Sequence, residues 1–257
     1  MNPKNIKWAW GACGKHPSAK DYFRLNINSS LFQAFERWTE KGFDSVSNDL
    51  KDGKKLCSWR FWAKGIKKGQ IVCGLVKTSS DSIGRPYPLL VVGAGFIAGW
   101  EDNWDILTET FEAIWQRIEY ISTRRFSNLE DFKAEINVLR DLPLQYGKIK
   151  ADREVSRSIS EGDNHRNQLK PGNEVGFTNN LEMLAREKAL ILLLENQDSM
   201  EVSDSIRRAQ YRFRSAGISL PNAVFIGGSA SRQFLAIFGR SIKTQDFVRL
   251  WTLPGDD

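Results

Sequence analysis

Between Asp102 and Ser122 the chain sets Trp104, Leu107, Phe111, Ile114, Trp115, Ile118 and Ile121 on one broad stripe at helical spacing. A stripe of that width is the pattern of a helix lying on a sheet, with its apolar face in a core. Candidate strands are present on both sides of it. Segment 6–13 alternates Ile6, Trp8 and Trp10 before Gly14 and Pro17 break it. Cys57, Trp59, Phe61 and Ala63 alternate with Ser58, Arg60, Trp62 and Lys64, and Ile71 to Val76 and Leu89 to Val92 are further β-rich runs. The loops between them fall at 65–69 and 78–88. Ala223 to Ile226 and Phe234 to Phe238 read as a strand pair, and Leu190 to Leu194 reads either as a buried strand, the favoured reading, or as the end of a helix beginning near Leu181.

Four further helices are expected. Leu31, Phe35 and Trp38 repeat at helical spacing behind a polar Asn28-Ser29-Ser30 cap and end near Gly42. Ser127-Asn128-Leu129-Glu130 has capping-box spacing ahead of Phe132, Ile136 and Leu139, which Pro143 stops. A charged helix spans about 202–215, and Thr244 caps a last one carrying Phe247, Leu250 and Trp251. Helices interspersed with strands predict an α/β layered sandwich, a mixed central sheet flanked by helices. From about 151 to 180 apolar residues thin out, so a single domain of residues 1–257 is expected, with a polar excursion that lies outside its core.

The chemistry is sparse. Among 257 residues there are three cysteines and two histidines, with no CxxC spacing, which excludes a disulfide framework and a thiol-histidine zinc site. A net charge of +6, spread along the chain, does not point to nucleic acid. No apolar run approaches the roughly 18–20 residues of a membrane span, and the charged N-terminus lacks the apolar region of a secretory signal, so a cytoplasmic protein without membrane insertion is expected. Gly11-Ala12-Cys13-Gly14-Lys15 is too short for a phosphate loop, and His16-Pro17 follows where such a loop has Ser or Thr and a helix. It reads as a turn, with His16 a turn histidine and Cys13 half-buried. Asp21, Asp81 and Arg85 stand in Gly/Pro/Ser-rich loops beside strands, where a carboxylate and a guanidinium can lock two loops together. The tryptophans of Ser58-Trp59-Arg60-Phe61-Trp62 are expected in a core with Arg60 pointing away from Trp59 and Phe61.

Three motifs in order carry a resemblance. Gly14-Lys15-His16-Pro17-Ser18-Ala19-Lys20-Asp21-Tyr22-Phe23-Arg24 resembles the opening GKxPxxxDFxR motif of the TagF/ImpM family, accessory proteins of bacterial type VI secretion. Trp59-Arg60-Phe61 is similar to that family's WRF strand, and Ser79-Ser80-Asp81 with Ile83-Gly84-Arg85-Pro86-Tyr87-Pro88-Leu89 to its PSxDxVGRxFPL segment. The likeness covers residues 8–97, with a weaker echo over 222–253; Lys20 stands where glycine commonly precedes the aspartate. The resemblance implies a non-enzymatic, post-translational repressor that uses no cofactor or metal, and whose partner is the forkhead-associated scaffold protein of the secretion system. The candidate interaction or structural cluster is Lys15, Asp21, Arg24, Arg60, Asp81 and Arg85. The loops of Asp21 and Arg85 are expected to meet at one sheet edge, beside Lys15 or Arg24. The contact surfaces expected are that edge and the 151–180 excursion. The alternative is a small phosphate- or nucleotide-binding module or hydrolase that uses Lys15, Asp21, Asp81 and Arg85.

Overall fold

A computed structural model describes residues 8–51, 56–160, 184, 186–194, 199–218 and 220–253. Eight strands form one sheet: β1 (Ala9–Gly14), β2 (Phe23–Leu25), β3 (Ser58–Lys64), β4 (Gln70–Lys77), β5 (Leu89–Phe96), β6 (Ala189–Leu194), β7 (Ala223–Gly228) and β8 (Gln233–Phe238). Their order across the sheet is β2-β1-β5-β4-β3-β7-β8-β6, and every pairing is antiparallel. The helices are α1 (Ser30–Asp44), α2 (Asn48–Lys51), α3 (Leu107–Thr123), α4 (Leu129–Val138), α5 (Tyr146–Ser160), α6 (Ser199–Ser215) and α7 (Thr244–Thr252). The α/β layering read from the sequence is what forms, but the sheet is antiparallel throughout where a mixed one was expected, because among the described residues no helix serves as a crossover between parallel neighbours.

Strand alternation deals side chains to two cores. One face carries Trp8, Trp10, Trp62, Ile71, Cys73 and Leu75 under α3, α4 and α6, through Phe111, Trp115, Phe132 and Phe213. The other carries Trp59, Phe61, Val72, Val92, Phe225 and Phe238 under α1 and α7, through Phe35, Trp38, Phe247 and Trp251. Phe61 lies stacked between Phe35 and Phe225 at 5.2 and 5.4 Å. Across β1 and β5, Trp10 faces Gly93, and its ring occupies the space a Cβ there would need, 2.5 Å away. Glycine in β5 is thus the seat of an indole.

Several boundaries differ from the pattern reading, each for a local reason. The first helix runs past Gly42 to Asp44, because Gly42 is a crossing point: a Cβ there would sit 2.3 Å from the Phe247 ring of α7. Ser29 caps it, accepting the Phe32 N–H at 3.1 Å. The long stripe begins as a 3-10 helix over Trp100–Ile106, non-helical at Asn103, before α3 proper. The cap of α4 is Asn128, which accepts the Asp131 N–H, in place of the capping box begun by Ser127. Thr244 is the first residue of α7 and not its cap; the Asp246 carboxylate instead accepts the Lys243 N–H at 2.7 Å while Arg240 clamps it. Residues 151–160 of the expected polar excursion continue α5, held by Arg153 to Asp105 at 2.5 Å, and the remainder lies outside the described residues.

Candidate functional site

Register decides where the motif loops start. Leu89 at the head of β5 pairs with Gly14 at the end of β1 and with Lys77 at the end of β4, and Lys77 in turn faces Ser58. Segments 15–22 and 78–88 therefore leave the sheet side by side. Gly14 makes the departure at φ +114°, a conformation that L side chains rarely adopt, with its Cα against the Pro88 carbonyl. The Ala19 carbonyl then accepts the Ser82 N–H at 2.8 Å and ties the two loops.

Asp81 is the hub. One carboxylate oxygen accepts the backbone N–H groups of Arg85 and Ile83 at 2.9 and 3.2 Å. The other takes Arg85 Nε at 2.7 Å and lies 3.1 Å from Lys15 Nζ. Arg85 reaches on through Nη2 to Asp21 at 3.2 Å and to the Lys20 carbonyl at 3.0 Å. The Asp81 side chain is fully buried, whereas that of Arg85 is half exposed and that of Asp21 mostly so. The outer Asp21–Arg85 pair is therefore screened by water and weak, and Asp81 does the binding. Burial by itself would raise the Asp81 carboxyl; the Arg85 N–H, the Lys15 and Arg85 side chains and the Ile83 N–H outweigh it and hold it well below the usual carboxylate range. Its stabilisation is present at neutral pH and is lost only as acid protonates it.

The six candidate residues do not form one cluster. Lys15, Asp21, Asp81 and Arg85 meet as the loops suggested. Arg24 does not: it lies on β2, a three-residue strand too short to leave a period in the sequence, and pairs with Glu36 of α1 at 2.6 Å, where the Tyr22 hydroxyl also donates. Arg60 points to the α3 side of the sheet, bidentate to Glu119 at 2.7 Å through both nitrogens and 3.0 Å from Glu112. Strand alternation forces this, since Trp59 and Phe61 fill the opposite core.

His16 opens the turn that the sequence reading gave it, its carbonyl accepting the Ala19 N–H at 2.8 Å, but the burial of its ring was not read from the sequence. It is fully buried, its ring centroid 4.5 Å from that of Phe132, and Nδ1 accepts the Ser18 N–H at 3.2 Å. Cys13 is buried as well. No local signal marks His16, because the ring it packs on comes from α4, more than a hundred residues later. Burial first, with the Lys77 charge nearby, pushes the His16 pKa down to about 4, against the pull of the Ile121 backbone. The unfolded chain takes up a proton near 6.5 that the folded chain refuses, so stability should fall with acid from pH 6.5 towards 4. The slope should not exceed about 1.4 kcal/mol per pH unit for this one group. Urea melts at pH 7.5 and 5.5 check it; His16→Phe should flatten the difference, and an unchanged slope in that variant counts against the assignment.

Among the described residues no three His, Cys, Asp or Glu side chains come together as a metal would require. No helix among them is long and apolar enough to cross a membrane. A family model, the TagF N-terminal domain described as type VI secretion system-associated, matches residues 11–139, half of the chain and all of the loop cluster. Among solved structures, the crystal structure of PA0076 from Pseudomonas aeruginosa PAO1 is similar at a TM-score of 0.42 and 21% identity. That match covers 53% of this chain and 64% of the other, so it spans less than two thirds of that protein. No curated protein matches the chain.

Proposed function

The chain belongs to the family of the TagF N-terminal domain, type VI secretion system-associated, and from that premise we propose that it is a non-enzymatic regulator which restrains secretion by binding one component of the apparatus. The observation that carries the non-enzymatic half is the closure of Asp81. Four donors of its own chain occupy both carboxylate oxygens. A carboxylate so engaged and so strongly ionised is a poor general base and has no oxygen to spare for a cation. This weighs against the alternative of a hydrolase or phosphate module built on Lys15, Asp21, Asp81 and Arg85.

What the loop cluster offers instead is a rigid rim with a half-exposed guanidinium at its edge. A buried salt bridge that fixes two loops pre-organises the surface they present, and an arginine on such a surface is a common interface anchor. The partner we assign is the forkhead-associated scaffold protein, and the compartment is the cytoplasm. Restraint by occupancy should be stoichiometric with that partner. Deleting the gene should raise secretion, overexpression should lower it, and a pull-down of the full chain should recover the scaffold. Unchanged secretion in both strains with no secretion component recovered would overturn the reading.

A further inference from the structure

The cavity beside the loop cluster is chemically lopsided. About 360 Å³ in volume, it is lined by Pro17, Leu56, Lys77, Thr78, Ser79, Ser80, Gly84, Pro86, Ser122 and Thr123, of which Lys77 is the one ionisable residue. It lies between the ends of β4 and α3, where the sheet register opens the 78–88 loop. Three of its hydroxyls are spent: Thr78 bonds the Cys57 carbonyl, and Ser122 and Thr123 bond carbonyls of the last turn of α3. Those last two bonds also blunt the partial negative charge of the helix end that faces the cavity.

Among the described residues three donors are left over. Ser79 and Ser80 engage their neighbours through the backbone alone, as the Tyr87 N–H on the Ser79 carbonyl and the Ser80 bridge to Pro86 show. Lys77 is half-buried on the α3 side, and the acid nearest in influence, Glu119, gives both its oxygens to Arg60. A lysine drawn part-way out of water, with no ion-pair partner among the described residues, is an expense that a bound anion would offset. In the neighbouring cavity between α3 and α4, two of the three arginines, Arg117 and Arg124, already face Glu135.

We infer that the Lys77, Ser79 and Ser80 cavity is a binding site for a tetrahedral oxyanion of the phosphate class. The ammonium supplies charge and the two hydroxyls supply directed donors, which suits a group with several acceptor oxygens better than a planar carboxylate with two. The exposed side chain of Ile83, beside Gly84 at the cavity wall, would lie against whatever carries the anion. The site is independent of the secretion reading and can fail or stand without it.

The test is thermal melting of the full chain in inorganic phosphate, against sodium acetate and sodium chloride at equal ionic strength and pH. A rise of about 3–6 °C is expected when phosphate exceeds its Kd tenfold, with little from acetate or chloride. Lys77→Met should abolish the rise and the Ser79→Ala, Ser80→Ala double variant should cut it at least by half. Arg125→Met, at the neighbouring cavity, should leave it whole. Phosphoserine blocked at both ends separates the sources: a larger rise than with phosphate assigns an esterified phosphate on a side chain, a smaller one the free ion. Equal rises in acetate and phosphate, or a full rise in either the Lys77 or the double serine variant, would overturn the assignment.

Discussion

A chain ended at Ser160 should not fold on its own. The family match stops at 139, but the sheet does not: β7 pairs with β3 through six positions from Ser58↔Gly228 to Ala63↔Ala223, and β8 and β6 lie beyond it. Truncation uncovers Trp59 and Phe61 on an open strand edge, because Phe225 and Phe234 are their neighbours. It also removes α7 from α1, taking Phe247 from Trp38 and the Lys243 carbonyl from the Trp38 indole N–H. Re-exposing three large side chains at roughly 1.5–3 kcal/mol each is comparable with the whole stability of an ordinary domain, about 5–15 kcal/mol. Residues 1–160 are therefore expected to be aggregated or unfolded by circular dichroism and size-exclusion chromatography, in keeping with one cooperative unit. A monomeric fragment that melts cooperatively would contradict that.

Gly14→Ala is expected to be the most damaging single methyl group in the loop region. Its Cβ would lie 2.0 Å from the Pro88 carbonyl oxygen, a backbone atom that no rotamer change can move, and the residue would be held at φ +114°. Relief requires parting β1 from β5 where Gly14 faces Leu89. That would draw Lys15 away from Asp81, since Lys15 is the next residue. Destabilisation upwards of about 4 kcal/mol is expected from urea unfolding, in the range reserved for strained backbone and broken buried networks. A cost under about 1 kcal/mol would mean that the loops can separate freely.

How much of this was legible in the sequence follows from range. Period-two runs and the α3 stripe declared strands and helices because each is a local pattern that burial imposes. The convergence of Asp21, Asp81 and Arg85 was legible from polar loops abutting strands, although the order of strands that joins them was not. Arg24 and Arg60 went elsewhere because their partners, Glu36, Glu112 and Glu119, lie on helices whose placement over the sheet has no trace in the local pattern. The helix α5 was hidden by composition: Tyr146 is buried, its hydroxyl donating to the Gly99 carbonyl, but residues 151–156 are mostly exposed. Lys77 looked like the polar end of a strand, and the burial of its charge is visible only once α3 closes over it.

All nine tryptophans are buried, five of them with 1% exposure or less. Trp8 and Trp10 lie nearly parallel with ring centroids 5.9 Å apart, and Trp62 is crossed by Trp100 and Trp104 at 5.6 and 5.9 Å. The indole nitrogens of Trp10, Trp59, Trp62, Trp100, Trp104 and Trp115 are buried and have no hydrogen-bond partner among the described residues. Light emitted from such sites is blue-shifted, and coupled indoles held at fixed angles give strong near-ultraviolet ellipticity. Both cores of the sheet carry such reporters, so loosening of either face registers in the chain's own fluorescence without a label. The same signal turns the truncation, the Gly14 variant and the His16 acid melt into optical measurements.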